Sequence, residues 1–240
     1  MLTVLRAGLR YGAYLAASAA PMSPSRHPWQ LRHLFLYRLF EADPQRIRRR
    51  IVGPDDLSPG EQRRYRRDLM TRFRRDWSVP GDWDQAAVPF DESSLLLESL
   101  AARTDSGGVD RERLLRAMAA GDAEPLLGVG LPVEAEDYLR EVEALHTSIL
   151  EHGVQSQRQR RGLPTLDEIT VCISRAGEPV LLLGGNHRVG IARLQDLAAV
   201  PVLVCGAHPD WIVRCEQVHG ADAAGLRRGV QEALTRKVGD

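Results

Sequence analysis

At 240 residues, 43% hydrophobic and 27% charged, the chain has an ordinary globular composition, with room for one large domain or a core domain with an extension. Aromatics are 5%, so Leu, Val and Ala must fill most of the interior. Three cysteines, an odd number without a Cys-x-x-Cys pair, argue against a disulfide scaffold or structural zinc and point to a reducing cytoplasm. The net charge is zero but divided: residues 1–76 carry 16 Arg and 7 acidic residues, and residues 77–240 carry 16 basic and 25 acidic ones. A basic arm for nucleic acid and a basic segment folded onto an acidic body both fit that division.

Residues 11–20 are small and apolar, follow Arg6 and Arg10, and are too short to span a membrane. They read as a weak leader-like segment or as an N-terminal helix. Residues 21–28 hold three prolines and form a linker. Residues 29–40 suggest a helix with Leu31, Leu34, Phe35 and Leu39 near one face. Asp43 and Pro44 can open a short helix. Residues 61–77 are strongly basic, with Tyr65, Leu69, Met70 and Phe73 at helical spacing, the pattern of a half-buried helix. Residues 81–89 read as a loop or short extended piece.

Residues 91–120 suggest two helical segments broken at 104–108, and 121–132 a glycine- and proline-rich loop. The clearest helix spans 132–152, with Tyr138, Leu139, Val142, Leu145 and Ile149 on one stripe and Gly153 as its stop. Residues 155–164 form an exposed, Arg-rich connection. The last third changes character: a strand over 169–174, a turn over 175–178, a strand over 179–183, a sharp loop at 184–186, a helix over 187–197, a strand over 200–204, and a terminal helix over 221–237. This predicts an α/β (α+β) fold in three parts: a basic helical extension (1–76), a helical and loop segment packed on the core (77–132), and a mixed-sheet domain with a C-terminal helix (133–240).

The loop Gly184-Gly185-Asn186-His187-Arg188 carries the chemistry. Two glycines let the backbone turn sharply and approach a ligand. The helix that follows starts with amides lacking an internal partner, and its dipole favours an anion there. His187 and Arg188 add donors, and Arg can grip phosphate through two parallel hydrogen bonds. The blander reading is a strand-to-helix turn that needs glycine only.

The strand–turn–strand–loop–helix–strand run, with Pro179, Gly184, Gly185, Asn186, His187, Arg188 and Ala192, resembles the ParB N-terminal/sulfiredoxin superfamily over about residues 138–213. So does the segment Ser148-Ile149-Leu150-Glu151-His152-Gly153 ahead of it. The resemblance implies a small mixed sheet and nucleotide phosphates on residues 184–188: ATP in sulfiredoxin, CTP in ParB proteins, ADP in a free serine kinase of that fold. Asn186 stands where sulfiredoxin has its catalytic Cys, so sulfinic acid repair is not expected. Gly184 stands where the serine kinase has an opening Asp. The 29 residues after Trp211 are too few for a DNA reader plus a dimer domain. Uncharacterised ParB-like proteins also resemble the chain in Gly81-Asp82-Trp83-Asp84 and in His208-Pro209-Asp210-Trp211.

Asp82 and Asp84 are candidate Mg²⁺ ligands or catalytic carboxylates, or turn caps beside a buried Trp83. Asp167 or Glu168 could act as general base, or mark a solvated strand entrance. His208 and Trp211 are candidates for base binding, with Trp211 stacking on the base or plugging the core. Two functions remain open at this point. One is an ATP- or CTP-dependent phosphotransferase or nucleotide hydrolase using Mg²⁺. The other is a non-catalytic ParB-like regulatory or nucleic-acid-binding module, with the Arg-rich residues 46–75 on a polyanion.

Overall fold

The computed structural model describes residues 35, 38–52, 58–90, 132–161 and 168–236. The expected leader or helix over 11–20 and the elements expected over 91–131 lie outside them. Among the described residues six strands form one sheet: β1 (Leu39–Ala42), β2 (Arg49–Ile51), β3 (Ala87–Pro89), β4 (Ile169–Ile173), β5 (Pro179–Leu183) and β6 (Val200–Ala207). Six α-helices accompany them: α1 (Pro59–Asp76), α2 (Pro132–His152), α3 (Gln157–Arg161), α4 (Asn186–Leu194), α5 (Pro209–His219) and α6 (Ala223–Thr235). The strand order is β1-β6-β4-β5-β2-β3. β4 runs parallel to β6 and antiparallel to β5, and β5 runs parallel to β2, so the sheet is mixed.

β4 is buried along its whole length, which is why it is continuously apolar around a single Thr170. Side-chain alternation divides the sheet's contacts between two cores. Ile169, Val171, Ile173, Leu181, Val202 and Val204 pack with Val142 and Ile149 of α2, Ile191 of α4, Ile212 of α5 and Leu226, Val230 and Leu234 of α6. Ile51, Cys172, Val180 and Leu182 pack with Leu69, Met70 and Phe73 of α1 and with Trp83. Each such fully buried aliphatic contributes about 1.5–3 kcal/mol over exposure.

α1 starts in a capping box: the Ser58 side chain accepts from the Glu61 amide, and the Glu61 carboxylate accepts from the Ser58 amide. The helix lies close on β6 because Gly206 has no side chain; a Cβ there would run into the Phe73 ring and the Trp77 carbonyl. Trp77 ends the helix at φ 51°, an uncommon value for a bulky residue, and is fixed there by packing. Its ring stacks on Phe35 with centroids 4.4 Å apart, and its Nε1 donates to the Val204 carbonyl at 3.3 Å.

Three expectations change. Residues 39 and 40 belong to β1 and not to a helix, and β2 lies in a stretch given no strand at all. Two strands from the first 76 residues, β1 and β2, thus belong to the same sheet as β4–β6. Both strands owe their stability to long-range pairing with β6 and β5, and three or four residues carry no readable period. The terminal helix expected over 221–237 is present as α6, but a further helix, α5, precedes it in a stretch given none, with Gly220 at φ 96° between them.

Candidate functional site

At the end of β5, Gly184 and Gly185 adopt φ 70° and 83°, values that favour glycine. Gly185 is also pressed against β4: a Cβ there would lie 2.6 Å from Cγ1 of Ile169. The bend puts Gly185 at the N-cap of α4, whose first helical bond runs from the Val189 amide to the Gly185 carbonyl at 2.8 Å. As a glycine, Gly185 has no side chain with which to cap this helix start. α1, α5 and α6 are capped by Ser58, His208 and Asp222. Buried Val189, Ile191 and Ala192 hold α4 against the sheet, so the direction of its first turn is fixed.

A cavity of about 220 Å³ opens in front of this start, lined by Gly184, Gly185, Asn186, His187, Leu181, Leu182, Ile51, Arg50 and Arg66. Burial, helped by the neighbouring Arg188 guanidinium, holds His187 below the usual histidine value. The ring is then neutral at pH 7, with one N–H to donate. Arg188 is half-buried and does not line the cavity; the guanidinium groups that do are Arg50 of β2 and Arg66 of α1. Sequence reasoning had placed both in a basic segment, with no sign that either meets the loop. The pairing of Arg50 with Leu181 and the packing of Ile51 in one core with Leu182 arise only in the folded sheet.

The remaining candidates lie elsewhere. β6 runs parallel to β4, so His208 follows the strand end beside the β4–β5 turn, opposite the end that carries Gly184. The five residues of β5 separate the two ends by about 15 Å. Asp82, Asp84, His208 and Trp211 all gather at that far end. Asp84 is buried and accepts from the Arg175 amide at 2.8 Å and from Arg175 Nη2 at 3.0 Å; Asp82 accepts from the same Nη2 at 2.6 Å. Trp83 Nε1 donates to the Val79 carbonyl at 2.8 Å, and its ring lies against His208 with centroids 6.3 Å apart. Trp211 packs against Gly177 of the turn. The two sequence elements Gly81–Asp84 and His208–Trp211 thus meet each other around Arg175, and not the glycine loop.

Glu168 is fully buried, and its Oε1 accepts from the Gln157 amide at 2.8 Å and the Arg158 amide at 3.3 Å. It holds α3 onto the start of β4, with its backbone carbonyl beside Gly184. Asp167 lies outside the described residues. Among the described residues no group of three or more His, Cys, Asp or Glu side chains could hold a metal, and no helix is long and apolar enough to cross a membrane. Of the Arg-rich segment, Arg46, Arg48 and Arg49 donate to backbone carbonyls of Ala233, Gln45 and Ala87, while Arg64, Arg67, Arg72 and Arg75 of α1 are exposed. Compared with protein-family models, curated proteins and solved structures, the chain matches none.

Proposed function

We propose that this is a nucleotide-binding protein that holds the phosphates of ATP or CTP at residues 184–188, in a fold akin to the ParB/sulfiredoxin group. The observation that carries the reading is the cavity in front of an α4 start whose N-cap is a glycine, lined by cations and by the two glycines. Amides of Asn186, His187 and Arg188 lie where an anion is favoured by both hydrogen bonding and the helix dipole. Asn186 and His187 side chains supply further polar contacts, and Arg188 adds positive charge one position along.

The described lining residues fit phosphate, and among the described residues none offers the cavity a carboxylate for Mg²⁺. A Mg²⁺ ion would arrive on the nucleotide's own phosphate oxygens, where it neutralises charge. Asp82 and Asp84 are engaged by Arg175, and Glu168 by α3. Binding, sensing or regulation in the cytoplasm therefore fits the described residues better than phosphoryl transfer or nucleotide hydrolysis. The exposed arginines of α1 favour a second reading in which the same protein also contacts nucleic acid.

Titration with ATP and CTP in the presence of Mg²⁺, with and without duplex DNA, tests both. Saturable nucleotide binding is expected, weakened about threefold by Arg188→Ala, the effect of a lost charge beside the helix start, about 0.7 kcal/mol. No phosphate release is expected. Unchanged affinity in that variant removes Arg188 from the site, and steady phosphate release replaces the binding reading with a catalytic one.

A further inference from the structure

Arg50 and Arg66 are separated by sixteen positions in the chain, yet both line the cavity at the glycine loop. Arg50 pairs in register with Leu181 of β5. Its neighbour Ile51 belongs to the core under α1, so alternation along β2 sends Arg50 to the opposite face. Arg66 arrives from α1 itself, one residue after Tyr65, which packs on that same core. The two guanidinium groups therefore approach the cavity from the two faces of the sheet, and the start of α4 lines it with them. Their Nε atoms are buried, which places the charged ends in a partly desolvated setting where electrostatic contacts strengthen.

We infer that Arg50 and Arg66 are specificity-determining residues that make this cavity a reader of a phosphate chain, two or more linked phosphates, rather than of a single phosphate. The inference rests on the loop reading above. Two guanidiniums from different elements and the amides of a helix start offer several separate sets of donors, which linked phosphates can engage together and a lone phosphate cannot. Each guanidinium can grip one phosphate in bidentate fashion, so separate groups can address separate phosphates.

Size points the same way. A cavity of about 220 Å³ lies below the roughly 300–1,000 Å³ that encloses a drug-sized ligand. It has room for the phosphate chain and leaves the nucleoside end outside. The site then distinguishes the length of the phosphate chain more strongly than the identity of the base.

The test is calorimetric titration of the full chain with orthophosphate, pyrophosphate, tripolyphosphate, ATP and CTP. Wild type, Arg50→Gln, Arg66→Gln and Arg66→Lys are compared, with thermal melts confirming that each is folded. Tripolyphosphate is expected to bind at least about tenfold tighter than orthophosphate, a difference of about 1.4 kcal/mol. ATP and CTP are expected within about threefold of each other. Arg66→Gln is expected to remove most of the chain-length preference by lowering tripolyphosphate affinity by a larger factor than orthophosphate affinity, and Arg66→Lys to restore part of it, since Lys keeps the charge without the fork. Equal affinity for orthophosphate and tripolyphosphate overturns the inference, as does a preference that survives both Gln variants. Should Arg50→Gln not fold, the Arg66 pair decides alone. If no anion binds wild type, the loop reading itself falls, an outcome distinct from binding that ignores Arg50 and Arg66.

Discussion

Asp84 and Asp82 stand two positions apart and both touch Arg175, but burial separates their roles. Asp84 is 3% exposed, while the Asp82 side chain is 76% exposed. Burial alone pushes the Asp84 carboxyl up; hydrogen bonds from the Arg175 side chain and amide, with help from His208, more than offset this and hold it below the usual value. A carboxyl with a lowered value in the folded state stabilises the protein above about pH 4, its unfolded value, and loses that contribution as pH falls through the lower folded one. Asp84→Asn is therefore expected to cost about 2 kcal/mol near neutral pH. Asp82→Asn is expected to cost about 0.5 kcal/mol or less. Urea unfolding at pH 7 and near pH 3 measures both, with the Asp84→Asn variant losing less on acidification than wild type. Equal stabilities for the two variants would show that Arg175 is not held as described.

At the scale of elements, the contact between α1 and β6 turns on Gly206. Gly206→Ala places a methyl against the Phe73 ring and the Trp77 carbonyl, so α1 must lift from the sheet. Overpacking of this kind costs about 1–3 kcal/mol, and because α1 carries Arg66, the variant should also weaken tripolyphosphate binding. Denaturant unfolding together with a titration checks both effects; a variant with wild-type stability would mean that α1 is not seated there.

The longer elements were readable in the sequence for physical reasons. α2 shows a full helical period and a Gly153 stop at φ 68°, and β5 is an apolar run bounded by Pro179 and Gly184. β1 and β2 were not, because their partners lie far along the chain. α5 carried signals that went unused: Pro209 at its first turn and His208 as its cap, whose Nδ1 accepts from the Asp210 amide at 3.2 Å.

For the whole molecule, the mixed sheet sorts the polar features into two ends. One end ties Gly81–Asp84, the β4–β5 turn and α5 together through Arg175, Trp83 and Trp211. The other end opens at the glycine bend. Local sequence showed that bend and its donors but not the strand directions, so residues from both ends were grouped into one site. The uneven charge follows from the same topology: part of the basic N-terminal third is built into the sheet and brings Arg50 to the cavity, and α1 brings Arg66.

The most direct measurement on the central claim follows backbone amide resonances of the ¹⁵N-labelled protein as pyrophosphate is added. The account expects the Gly185, Asn186, His187 and Arg188 amides to shift together with saturation, while those of Asp82, Asp84, His208 and Trp211 stay in place. Shifts confined to the Asp82–His208 end, or none at residues 185–188, would contradict it.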